Sequence, residues 1–131
     1  MIFLVDHNLE GHALLLSGAI TNLGWLELLP ILFITFQEIE LAMASDDRTV
    51  WRFAQVNQMI LLTANRSMKG ENSLEQVMRE ENTTSSLPIV TIADAERVLT
   101  DRDYRDRCVD RLIEIVFDID DYRGAMRLFI P

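Results

Sequence analysis

Residues 3–9, FLVDHNL, decide how the chain folds. A run of apolar residues that suits a buried strand over residues 2–5 meets a carboxylate, Asp6, and then the polar pair His7 and Asn8. Leu9, Ala13, Leu16, Ile20 and Leu23 come next at helical spacing, which predicts a helix of about four turns. A strand that passes into a helix through an acid begins a βα unit. In open parallel sheets ligands bind beyond the carboxyl ends of the strands, so Asp6 stands where a site is expected.

The rest of the chain repeats the pattern. Residues 31–36, ILFITF, are apolar on both faces, which predicts a central parallel strand. Residues 37–44 read as a short helix or a loop. Ser45-Asp46-Asp47 looks like a helix start, because these side chains cap free amides and acids suit the positive end of the helix dipole. Val50, Trp51 and Ala54 are the buried stripe of that helix. MILLT, residues 59–63, is a third strand, and Asn72 or Ser73 caps the next helix. LPIVTI, residues 87–92, is a fourth strand, with Pro88 near its start, where a missing amide is tolerated. Asp94 or Ala95 opens a further helical stretch. Val109, Leu112, Ile113, Val116 and Phe117 form its apolar stripe, and Asp101–Arg105 and Asp103–Arg107 are the expected i, i+4 pairs. Gly124 ends the helix, and RLFI is a last strand at a sheet edge. Strands alternating with helices predict an α/β fold with a mostly parallel central sheet flanked by helices. Without a repeat, linker or low-complexity tract, residues 1–131 read as one domain.

Composition narrows the function. The 131 residues carry a formal net charge of -9. That balance argues against a broad basic surface for nucleic acid, since phosphate contacts need Lys and Arg. Tight RNA binding is therefore not expected. Cys108 is the single cysteine, so no internal disulfide forms, and it reads as a structural thiol. The start of the chain shows no signal-peptide pattern, which predicts a cytoplasmic protein. Asn65-Arg66-Ser67 and Asn82-Thr83-Thr84 match a glycosylation pattern that means little without such a signal. Residues 13–36 are long enough to span a bilayer. Asn22 and Gly24 read as a helix stop, Glu27 is charged and Pro30 interrupts the remainder, so no membrane span is expected.

Three segments in order carry a resemblance. FLVDHNL with its helix, then ASDDRTVWRFAQ (44–55), then ILLTANRSM (60–68), is similar to the bacterial PIN-like family. In that family the first strand ends in Asp, an S-D-x-E-like segment comes later, and a further strand ends in a T-x-D-x-D-like motif. The likeness covers about residues 1–70. It implies a single PIN-like domain and a metal-dependent ribonuclease, often a toxin restrained by an antitoxin-like protein. It implies that Asp6 is the first metal-binding acid and Asp46 or Asp47 the second, holding Mg²⁺ or Mn²⁺. It also favours a homodimer. Where the family motif has two acids this chain has Asn65 and Ser67, which bring no charge. Glu71 or Asp94 is the acid that could compensate. The site residues are thus Asp6, Asp46, Asp47 and Asn65. Two functions are open: a nuclease with a weakened site, or an inactive PIN-like fold acting through protein contacts.

Plainer roles stand beside these. Asp6 suits a helix cap, His7 a capping or solvent-facing residue and His12 a surface residue. Asp46 and Asp47 suit an ordinary helix start, and Asn65 a turn. Trp25 and Trp51 read as core or interface anchors, and the acids from 101 to 121 as a solvated helix face. Other acidic α/β sites fit worse. A phosphotransfer receiver needs an Asp after the third strand, a dehalogenase-type phosphatase needs D-x-D after the first, and no phosphate-binding glycine loop is present.

Overall fold

The structure, a computed structural model, describes residues 1–24, 30–40, 46–64 and 73–131. Five strands, β1 (Ile2–Val5), β2 (Leu32–Thr35), β3 (Met59–Thr63), β4 (Ile89–Ile92) and β5 (Arg127–Ile130), form one sheet in the order β2-β1-β3-β4-β5. Every pairing is parallel. The order is one of the common doubly wound arrangements, and its direction reverses between β1 and β3. The α/β class expected from the strand–helix alternation is what the chain adopts.

Helices cover both faces. α1 (Glu10–Asn22), α4 (Ala95–Thr100) and α5 (Arg102–Phe117) pack on one, and α2 (Asp47–Val56) and α3 (Leu74–Glu81) on the other. Strand side chains divide accordingly. Phe3, Val5, Ile60, Leu62 and Val90 enter the core under α1 and α5; Leu4, Leu61 and Ile89 enter the core under α2 and α3. This two-residue alternation is the pleat. Trp51 is buried in the second core, as its helical spacing predicts.

The helix boundaries have local causes. α1 stops where Leu23 and Gly24 turn their amides back onto the Ala19 and Thr21 carbonyls, with Gly24 at φ +76°. Asp46, Ser73, Asp94 and Asp101 each accept a hydrogen bond from a backbone N–H three residues on, capping α2, α3, α4 and α5. Among the described residues no helix is long and apolar enough to cross a membrane.

Three expectations are corrected. Residues 31–36 do not make a central strand: β2 ends the described sheet and Leu32 is 56% exposed. The rest of β2 is only half-buried, so an apolar run by itself fixes neither how many strands lie beside it nor how fully its faces are covered. Asp101 pairs with Arg97 at 3.0 Å, because its carboxylate caps the Tyr104 amide and so faces backwards; Arg105 turns to the Val98 carbonyl. Phe117 falls in the last turn of α5 and is 72% exposed, outside the stripe that buries Val109, Leu112, Ile113 and Val116.

The last crossover differs from the others. From β1 to β2, β2 to β3 and β3 to β4, each change of direction along the sheet accompanies a change of helix face, so the three share one hand. The step from β4 to β5 continues in the direction of the third step but runs over the opposite face, so its hand is opposite. Crossovers of a single hand are the strong rule. The apolar stripe of α5 supplies the reason for the exception: it is buried against α1, with Cys108, Val109, Leu112 and Ile115 all fully covered. The chain then turns into β5 through Gly124, at φ +82°, where a Cβ would stand 3.2 Å from the Thr84 backbone.

Candidate functional site

The strand order reverses between the carboxyl ends of β1 and β3, which is where a ligand crevice is expected in such a sheet. Asp6 is the first residue beyond β1. Its N–H donates to the Leu62 carbonyl at 3.0 Å, which carries the ladder with β3 one residue further. Its Oδ2 accepts the Thr63 hydroxyl at 3.0 Å. His7 Nδ1 lies 3.3 Å from Oδ1, and the His7 ring lies 6.1 Å from that of Phe36. The Asp6 side chain makes no helix-capping bond. Its carboxylate is turned across the crevice to β3 instead.

The register extends this site sideways. Val5 is level with Leu62, and Thr63 with Thr91, so Asp6, Thr63 and Thr91 form one row on the α2/α3 face. Thr63 and Thr91 are buried. From β5, Arg127 Nη1 donates to Thr91 Oγ1 at 2.5 Å, and its Nε to Glu75 Oε1, in the first turn of α3, at 2.7 Å. The Arg127 side chain is 7% exposed. This Thr91–Arg127–Glu75 group escapes the sequence reading. Its signals are a threonine inside the apolar run IVTI and an arginine opening RLFI.

In a parallel sheet the helix that leads into a strand starts at the carboxyl end of the sheet, so Asp46 and Asp47 begin α2 on the same side as Asp6. Asp46 Oδ1 accepts the Thr49 amide at 2.8 Å. That bond, with help from the Thr49 hydroxyl, holds its carboxyl below the ordinary carboxylate range. Arg48 bridges Glu80 and Glu81, and Arg52 joins Glu81, which ties α2 to α3. Asp94 caps α4 on the opposite face. Asn65, Ser67 and Glu71, together with Trp25, lie outside the described residues.

A hard dication needs several oxygen ligands, usually with more than one carboxylate. Among the described residues no three His, Cys, Asp or Glu side chains gather in a group able to hold a metal ion. Those residues place Asp6 and the Thr63 hydroxyl at the crevice, with Asp46 engaged as a cap. By themselves they do not fit a fully ligated Mg²⁺ or Mn²⁺.

His12, expected at the surface, is half-buried with Nδ1 enclosed. Burial lowers its pKa below 6.5, against a smaller upward pull from the Ala95 backbone. Below 6.5 the unfolded chain therefore takes up a proton more readily than the folded one, and stability falls. A second loss comes from Glu80, Glu81, Asp46 and Asp101, whose folded values are lowered by hydrogen bonds to Gln76, Arg52 and the Thr49 and Tyr104 amides respectively. Their contribution is complete above the ordinary values of 4.5 and 3.8 and is lost as pH falls through the lower folded ones. Denaturant titrations across this range are expected to show stability declining in two stages. His12→Gln should remove the first, between about pH 5 and 7; an unchanged profile would count against the burial of His12. Burial likewise pushes the Cys108 thiol up to about 11, which makes it inert at neutral pH.

Comparison with family models, curated proteins and solved structures returns no match to this chain.

Proposed function

We propose that the chain is a PIN-like domain with a weakened metal-dependent ribonuclease site at the carboxyl edge of its sheet. One observation carries the reading: Asp6 stands at the β1/β3 switch point with its carboxylate turned onto Thr63. Mg²⁺ or Mn²⁺ would be held first by Asp6, with Asp46, Asp47 and Asn65 as the further ligands. A metal ion held there would supply an activated water and charge neutralisation at a phosphate. The chain's own contribution is to orient Asp6 through the Thr63 hydroxyl. With Asn65 and Ser67 uncharged and a net charge of -9, metal and RNA are both bound weakly. The protein is cytoplasmic, and its macromolecular partners are a second copy and an antitoxin-like protein.

Thermal melting with Mn²⁺ tests this reading. Ligand at a hundredfold excess over its dissociation constant adds about 2.7 kcal/mol. In a domain of this size that is a shift on the order of 5–15 °C. The native chain is expected to shift much less at millimolar Mn²⁺, and Asp6→Asn to shift not at all. Asn65→Asp combined with Ser67→Asp should enlarge the shift. A full shift in the native chain, with Asp6-dependent RNA cleavage, would show an intact nuclease. No response from either protein would refute a metal site.

A second reading, an inactive PIN-like fold acting through protein contacts, is favoured by a separate observation. Leu14, Leu15, Leu23 and Leu32 are exposed around α1 and β2.

A further inference from the structure

The geometry points to the α1/β2 face as the contact surface for a second copy of this chain, paired about a two-fold axis perpendicular to α1. The inference holds whether or not the crevice takes a metal. α1 carries one formal charge, Glu10, in a protein where a quarter of the residues are charged. Its outward side presents Leu14, 77% exposed, and Leu15. Leu14 forms a ridge between two grooves. One, of about 260 Å³, runs between α1 and β2 and is walled by Ile31, Leu32 and Phe33. The other, of about 380 Å³, runs between α1 and the start of α5. Four of the eight exposed large apolar residues among those described lie here. A clustered apolar patch of this kind marks an interaction site, whereas scattered single residues do not.

Charge selects the occupant. Glu10 and Glu38 stand in the first groove, at the N-terminal end of α1; Arg102, Arg105 and a single acid, Asp106, stand in the second, beside Asn22 and Leu23 at its C-terminal end. Arg105 is engaged with the Val98 and Leu99 carbonyls, while Arg102 is 84% exposed and makes one long contact, 4.0 Å, with Asp106. A two-fold axis through the middle of α1 sets the acidic end of each copy against the Arg102 end of the other. It also sets the Leu14 ridges side by side. Gly18 helps: nothing lies within 4 Å of where its Cβ would stand, so a second helix can approach closely. Elsewhere the acidic surface of one copy would repel that of another. The β5 edge, the other candidate for self-association, suits it less well, because Arg127 is turned inward to Glu75 and Thr91.

Sedimentation equilibrium of the whole chain at micromolar concentration is the test. The native protein is expected to be a dimer. Leu14→Asp, at an exposed position, should weaken association at least about tenfold while leaving the circular dichroism spectrum unchanged. Glu10→Arg and Arg102→Glu should each weaken it, and the two together should restore it, since the axis pairs each new charge with its opposite. A monomeric native chain at high micromolar concentration would overturn the inference. So would a dimer indifferent to Leu14→Asp, or single charge reversals that the double variant does not repair.

Discussion

Glu75→Ala is expected to destabilise the protein by about 3–5 kcal/mol, because it removes a close carboxylate from the buried Arg127 guanidinium. In a domain of this size that is a fall in Tm on the order of 10–20 °C. The pair is covered on both sides, with Arg127 7% and Glu75 18% exposed, so solvent does not screen it away. Thr91 Oγ1 also accepts a bond from this guanidinium. Glu75→Leu combined with Arg127→Met should recover most of the loss, since well-packed apolar side chains commonly replace a buried ion pair at little cost. Thermal melts of the variants decide the matter. A loss below about 1 kcal/mol for Glu75→Ala would mean that the pair behaves as a surface contact. The group matters to the site because it ties β5 and the first turn of α3 to the row containing Thr63 and Asp6.

The second large effect is expected at Trp51. Its indole is buried in the α2/α3 core with Leu4, Phe36, Leu61 and Val77. Trp51→Ala should cost about 3–5 kcal/mol in lost burial and residual cavity. Arg52→Ala, the adjacent residue on the wet side of α2, removes one partly exposed ion pair with Glu81. That should cost no more than about 1 kcal/mol. Urea titrations of the two variants therefore compare neighbours that differ in burial. If they proved equally mild, the α2 stripe would not anchor the helix that carries Asp46 and Asp47. Because α2 starts at the carboxyl edge, Trp51→Ala should also reduce any metal response that depends on those acids.

Local chemistry made much of this protein legible from residues alone. The apolar runs at 2–5 and 59–63 are β1 and β3 to the residue, because a strand buried on both faces needs an uninterrupted apolar sequence. The caps fall within the expected choices, Asp46 from Ser45-Asp46-Asp47, Ser73 from Asn72 or Ser73 and Asp94 from Asp94 or Ala95, because a short polar side chain before a periodic stretch has few other uses. Asp6 was marked by its place after a strand. Relations between distant segments were beyond that reading. Whether an apolar strand has one neighbour or two depends on which other strands reach it, so ILFITF could not be assigned to an edge. Asp101 could pair forward or backward, and its capping bond turned it towards Arg97. The opposite hand of the final crossover comes from where α5 finds an apolar surface, which is α1. The row of Asp6, Thr63 and Thr91, closed by Arg127 and Glu75, joins residues far apart in the chain. Only the register of a folded sheet brings such residues level, because one strand's sequence carries no record of its neighbour's alignment.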